Sequence, residues 1–430
     1  MPQPSLPRSR LGPPGLPEEG RIALFWVCLL IAVNQLGFGA IVPAIPLYAE
    51  SFGVSATAIG LAIGVYGLAR FVVNVPAGRF ADRRGRKNLL IVGTLATIAG
   101  NALCAVAPTY PIFLLGRFVS GAGAASVLTG GQTIVADIST VANRGRLMAI
   151  YQGVFLFAVG LGPLPGGWLA TEVGLAAPFA ANAILSVGTL AVAAFGIPET
   201  RGLRDTGGAR PRPMSVRQQI GLLRSIPGFA LIGFVSFTVF FARTGALFNV
   251  VPLIAKDRIG LAPDRIGLSL GLVSIVGLAL AYPSGMLVDR WGRKAVIVPA
   301  TLLTAVSMPL FGIVETWPAF LAASLVWACA TGIGGAAPAA YAADSAPRDA
   351  TASALGTYRA VSDLGYVVGP LLLGAIADLA GPDSALLFAA LLAATAALTF
   401  AFRAPETLPP AVRLIVPAGG TTTTTPEVKR

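Results

Sequence analysis

One carboxylate and four guanidinium groups sit inside stretches that are otherwise too apolar for charge: Asp363, Arg70, Arg117, Arg243 and Arg359. An ion at mid-bilayer is costly, so it normally faces a partner or a water-filled cavity and marks a functional position. Asp363 is the one acid placed so deep, about nine residues or roughly 14 Å from the nearer end of its stretch. Arg359 precedes it by four residues and shares its helix face. Two readings follow. The two charges can neutralise each other and hold their helix in place, or Asp363 can take and release a proton while nearby arginines modulate its acidity. The chain contains no histidine, so proton chemistry falls to carboxylates.

A second set of charged residues is duplicated. Gly78-Arg-Phe-Ala-Asp82-Arg83-Arg-Gly85-Arg86-Lys87 and Gly285-Met-Leu-Val-Asp289-Arg290-Trp-Gly-Arg293-Lys294 share one pattern, and their aspartates are 207 positions apart. The same offset relates Gly162-Pro163 to Gly369-Pro370, Asp137 to Asp344, and Pro198-Glu199-Thr200 to Pro405-Glu406-Thr407. Several matches in one register imply a tandem duplication. The duplication leaves the ionic pair unmatched, because Asp363 corresponds to Leu156 and Arg359 to Gln152. In each copy the basic residues can anchor the segment to anionic lipid. Asp82 can instead act as a gate latch, binding arginines or a helix N-terminus of the opposite half, with Asp289 a weaker counterpart. Gly78 and Gly85 are expected to serve tight packing and the turn.

These residues must be positioned by membrane helices. The chain of 430 residues is 55% hydrophobic and 12% charged, with mean hydropathy +0.76. Soluble domains carry roughly twice that charged fraction. The apolar residues fall in blocks of about 20, enough to cross a hydrocarbon core. Twelve spans are expected at 22–47, 57–80, 88–107, 110–136, 147–170, 176–197, 228–253, 264–287, 295–314, 318–342, 354–378 and 384–402. They divide into a segment 1–21, six-helix bundles at 22–197 and 227–403, a polar linker 198–226 with six arginines, and a Pro- and Thr-rich tail 404–430 expected to be disordered. The fold class is all-α integral membrane, as two parallel six-helix repeats.

The net charge of +12 does not point to nucleic acid, because no basic patch alternates with aromatics. Of the 27 lysines and arginines outside the span interiors, 24 fall at one end of the expected bundle, and the other three are Lys256, Arg258 and Arg265. That asymmetry puts both termini in the cytoplasm and the lipid bilayer around the spans. The first apolar run is too long for a signal h-region and is read as an uncleaved span. Cys28, Cys104 and Cys329 lie apart in apolar spans, so no disulfide, metal site or cofactor is expected.

The segment 78–87 resembles the loop signature of the major facilitator superfamily between its second and third spans, and 285–294 repeats it between the eighth and ninth. Arg117-Phe-Val-Ser-Gly-Ala-Gly123 resembles the family's second signature. Ala158-Val-Gly-Leu-Gly162-Pro163-Leu-Pro-Gly166-Gly167 resembles the signature associated with antiporters, with Ala158 where glycine is usual. The resemblance covers about residues 20–405. It implies a secondary transporter of the plasma membrane, resembling the twelve-span drug:proton antiporters, that exports amphiphilic small organic compounds by rocking of its halves. Gly162, Pro163, Gly166, Gly167, Gly369 and Pro370 would form a small-residue seam serving as the pivot. Asn34, Gln35, Tyr66, Gln132, Asn249 and Tyr358 can line a midplane cavity or make interhelical hydrogen bonds.

Two other functions compete. The four arginines also suit uptake or exchange of an organic anion or metabolite. A membrane enzyme or receptor on the same fold is disfavoured, since no nucleophile–base pair or sizeable soluble domain is present. The partners expected are a small-molecule substrate and a proton, with the chain acting as a monomer.

Overall fold

The computed structural model describes residues 18–140, 143–201, 221, 226, 228–335, 337–346 and 351–407. Among these, twelve helices are long and apolar enough to span a membrane. The first to sixth are Glu18–Ile41, Ala56–Arg84, Arg86–Ala105, Tyr110–Asp137, Arg144–Glu172 and Ala177–Gly196. The seventh to twelfth are Phe229–Ile259, Pro263–Trp291, Arg293–Gly312, Trp317–Ser345, Ala354–Ala380 and Pro382–Arg403. In hydrocarbon every backbone group needs an internal partner, which the helix supplies. Helix starts carry proline in the first turn, as at Pro111, Pro178, Pro263 and Pro382, where a missing N–H costs nothing. Residues 1–17 of the expected segment 1–21, residues 408–430 of the expected tail 404–430 and most of the linker lie outside the described residues.

Three departures from the expected boundaries have local causes. The first span stops at Ile41, and after Val42 and Pro43 a short helix, Ala44–Glu50, follows. The second and eighth spans run on to Arg84 and Trp291, so each duplicated segment is helix, one glycine, then helix, rather than a loop. Gly85 and Gly292 make those turns at φ +98° and +101°, which a side chain disfavours. The seventh span contains a nine-residue π-helical segment, Ala242–Val250, which apolar periodicity does not announce.

The halves meet along two related seams. In one, the second span packs on the eleventh: a Cβ on Gly60 would strike Pro370 O, and one on Gly67 would meet the Tyr366 ring. In the other, the fifth span packs on the eighth, Gly160 against Ser274 and Gly167 against Pro263. Gly162 and Gly166 abut the first span at Gly39 and Ala40, while Gly369 abuts Phe241 of the seventh. The seam residues predicted from sequence therefore lie at close helix contacts, divided between joining the halves and packing within one. At the end of the bundle remote from the duplicated segments, Asp378 of the eleventh span accepts from the Ala56 and Thr57 amides, both 2.8 Å, capping the second span from the opposite half. At the related seam Thr171 and Asp264 hydrogen-bond each other, at 3.0 and 3.4 Å. Thr171 corresponds to Asp378, and Asp264 to Thr57, by the 207-residue offset. The two seams therefore exchange acid and hydroxyl.

Toward the duplicated segments these helices part. Nothing lies within 4 Å of a Cβ placed on Gly78, Gly153, Gly285 or Gly356, and Arg359 is exposed. The expected tight packing of Gly78 is thus not found: in this state a cleft opens at that end. Gly166→Leu should place a side chain against Ala40 backbone and destabilise by about 1–3 kcal/mol or more, whereas Gly153→Leu should be tolerated. Thermal unfolding of the two purified variants checks the contrast.

Candidate functional site

The buried charges converge around Tyr366, on the seam between the second and eleventh spans. The charged groups that act on Tyr366 are Arg70, Arg117, Arg243 and Asp363. The Arg70 guanidinium lies 5.8 Å from the Tyr366 ring centroid, and Gly67, one turn earlier on the second span, makes room for that ring. Arg70, from the opposite half, and Arg359 are the charges that act on Asp363. Neither comes within the 4.0 Å of an ion pair among the described residues. The self-neutralising pair of Arg359 and Asp363 is therefore not closed here, and Asp363 is shared between an arginine of its own helix and one across the seam.

The π-helical segment sets the seventh span against this cluster. A wider turn leaves Arg243 with its guanidinium 5.5 Å from the Phe248 ring centroid and lets Thr244 donate to Tyr366 O at 3.2 Å. Asn249, fully buried, donates to Pro370 O at 3.2 Å, so its interhelical bond ties the seventh span to the proline of the eleventh. Tyr358 likewise accepts from Ser236 at 2.6 Å.

On the amino-half side, Arg117 is wholly buried, its Nε donating to Ala62 O at 3.1 Å and its guanidinium 4.5 Å from the Tyr66 ring centroid. Phe38 stacks on Tyr66, their ring centroids 5.2 Å apart and their planes at 20°. Asn34 and Tyr66 line a small cavity with Arg117, and Gln35 is buried nearby in sequence. Gln132 lies fifteen residues beyond Arg117 on the fourth span, roughly 22 Å along the axis, and does not join this cluster. Sequence reading missed Tyr366, Phe38 and Phe248. The first has a signal in hindsight, since it follows Asp363 by three residues and so shares its face.

The duplicated segments resolve into a network in each half. Arg86 is 1% exposed and binds Asp137, also 1% exposed, at 2.6 Å, with Asp82 at 3.6 Å. The Glu199 carboxylate accepts from the Arg86 and Lys87 amides at 3.0 and 3.2 Å, capping the third span, and Thr200 donates to Asp137 at 3.3 Å. Arg293, Asp344, Asp289, Glu406 and Thr407 repeat the arrangement. The landmarks found at one sequence offset are therefore physical partners. Arg86, expected among the gate residues, is committed to its own half, because its charge is buried and paired there. The Arg83 carbonyl accepts from Arg201 Nη1 at 2.9 Å, and Arg290 is the last basic residue before Gly292.

The two networks differ in burial, since Arg293 is 15% and Asp344 36% exposed. Breaking the buried pair by Asp137→Asn should cost about 3–5 kcal/mol, while Asp344→Asn should cost about 1 kcal/mol or less. Folded yield and thermal unfolding should separate the variants in that order.

The sequence profile of the Major Facilitator Superfamily matches residues 27–262 and 232–423. The class C tetracycline resistance protein of Escherichia coli is 27% identical over 368 residues, covering 82% of this chain and 89% of that protein. Multidrug resistance protein 2 of Bacillus subtilis (strain 168) is 25% identical over 287 residues, 66% of this chain and 72% of that protein. Among solved structures, a D-xylose–proton symporter superposes with TM-score 0.70 at 17% identity, covering 90% of this chain and 99% of that one. A bacterial homologue of the human lysosomal transporter Spinster, solved inward-facing and unoccupied, gives 0.73 at 15% identity, covering 90% and 97%. Twelve apolar spans, a repeated pattern of segments and two matches to one profile agree: the chain belongs to the Major Facilitator Superfamily, whose members are transporters rather than enzymes.

Proposed function

We propose that this transporter exports amphiphilic small organic compounds in exchange for protons, by alternating access of its two halves. The observation that carries the reading is Asp363, a carboxylate within the eleventh span acted on by Arg70 across the seam and by Arg359 on its own helix. While ionised it attracts the second span toward the eleventh. Once protonated, that attraction is lost and the seam can part. Proton occupancy is thereby linked to which side of the cleft is open. The tetracycline and multidrug resistance relatives support an amphiphilic cargo.

In this account the present state opens at the end carrying the duplicated segments, and that end is cytoplasmic in the plasma membrane. Closing it would bring Asp82 and Asp289 toward the opposite half as latches, with Gly78 becoming a contact. The glycine seams centred on Gly162, Pro163, Gly369 and Pro370 act as the pivot, and the transporter works as a monomer. A second reading has its own support. Arg70, Arg243 and Arg359 outnumber Asp363 by two charges around the cluster, which suits an organic anion as cargo.

A susceptibility panel on cells lacking and overproducing the protein selects the transported compound. With it, Asp363→Asn should retain downhill exchange and lose efflux driven by a pH gradient. The double change Arg359→Gln with Asp363→Leu copies the amino-half residues and should fold without pH-driven transport. Full transport by the double variant would end the proton assignment. For orientation, a reporter fused after residue 210 should be cytoplasmic and one inserted near Lys256 external. The reverse result would invert the direction of the proposed cycle.

A further inference from the structure

Behind Tyr66, within the amino half, lies a small and largely enclosed cavity that the cleft between the halves does not use. Asn34, Tyr66, Asn101, Arg117, Ser120 and Asn182 contribute to its walls. The centre of a water-sized sphere can range over about 10 Å³ there, room for one small particle. Arg117 enters this space with 0% exposure, and its Nη1 and Nη2 are buried without an acceptor. A guanidinium keeps its charge under all conditions a protein meets. No carboxylate lines the cavity, and among the described residues none pairs with Arg117.

The groups already touching Arg117 do not balance that charge. The Ala62 carbonyl takes Nε, and the Tyr66 ring face offers a quadrupole, not a counter-ion. A full charge enclosed in the membrane interior carries a large cost until it is compensated. A water bridging Arg117 to Asn101 Oδ1, the other unpartnered polar atom here, would satisfy one donor and one acceptor and leave the charge in place. The size of the space excludes a carboxylate or phosphate and admits a single atom. Asn34 and Asn182, each 4% exposed, bring further amide donors to its wall.

We propose that this cavity binds one monoatomic anion, chloride in the cell, as the resident counter-ion of Arg117. The assignment stands apart from what the central cleft carries. A bound chloride would tie the first, fourth and sixth spans together through Asn34, Arg117 and Asn182. The folded amino half should then gain stability with chloride concentration, as any ligand of the native state provides.

Two measurements decide it. Crystals of the unaltered protein grown with bromide in place of chloride should show one anomalous-scattering peak in the cavity, within hydrogen-bond reach of Arg117 Nη1 or Nη2. In solution, the thermal unfolding midpoint should rise as chloride replaces gluconate at constant ionic strength. Arg117→Gln should abolish that dependence and Arg243→Gln should keep it. If Arg117→Gln does not fold, the bromide experiment decides alone. Bromide absent from the cavity, or equal midpoints in chloride and gluconate for the unaltered protein, would overturn the assignment.

Discussion

A charge buried in a bilayer must be paired, hydrated or compensated, and this constraint governs the arrangement of the molecule. At the end carrying the duplicated segments, Arg86 is paired with Asp137 and capped by Glu199, so the charge density there belongs to each half separately. Nearer the middle, the solution changes. Arg70, Arg243 and Arg359 surround Tyr366 and Asp363 without closing an ion pair, at the level where the seam gives way to the cleft. Groups that are charged but not locked together can exchange partners, as the proposed proton coupling requires.

The seams explain how such groups can be held without being frozen. Glycines bring the second span onto the eleventh and the fifth onto the eighth at backbone distance, so these contacts carry little side-chain bulk to rearrange. Asp378 on the second-span N-terminus, Thr171 with Asp264 at the related seam, and Glu50 with Lys256 fasten the remote end by polar contacts beside the apolar packing of Val42 and Leu47 on Val250 and Ile254. Each such fastening involves groups that water can satisfy once they separate. The π-helical segment of the seventh span adds a third device, turning Arg243 and Asn249 toward the cluster within one helix.

Much of this is legible in the sequence, and the reason is symmetry. The 207-residue offset picks out Asp82, Arg86, Asp137 and Glu199 with their counterparts before any contact is known. Span number follows from apolar blocks that the bilayer itself demands. What is not legible is the partner of each mid-membrane charge. Helical spacing favours Arg359 for Asp363, yet Arg70 belongs to a helix nearly three hundred residues away in sequence, and the packing of Gly60, Gly64 and Gly67 on the eleventh span brings it there. Tyr366 is an ordinary aromatic residue by sequence, and its importance arises from position alone. The π-helix is similarly hidden, because a nine-residue change of pitch leaves the apolar pattern intact.

The most direct test of the account follows protons rather than cargo. In proteoliposomes carrying a pH-sensitive dye, an outward gradient of the compound chosen by the susceptibility panel should drive protons in the opposite direction through the unaltered protein. The account predicts that this proton movement disappears in Asp363→Asn while the compound still moves down its gradient. Compound flux through the unaltered protein with no accompanying proton movement would contradict it.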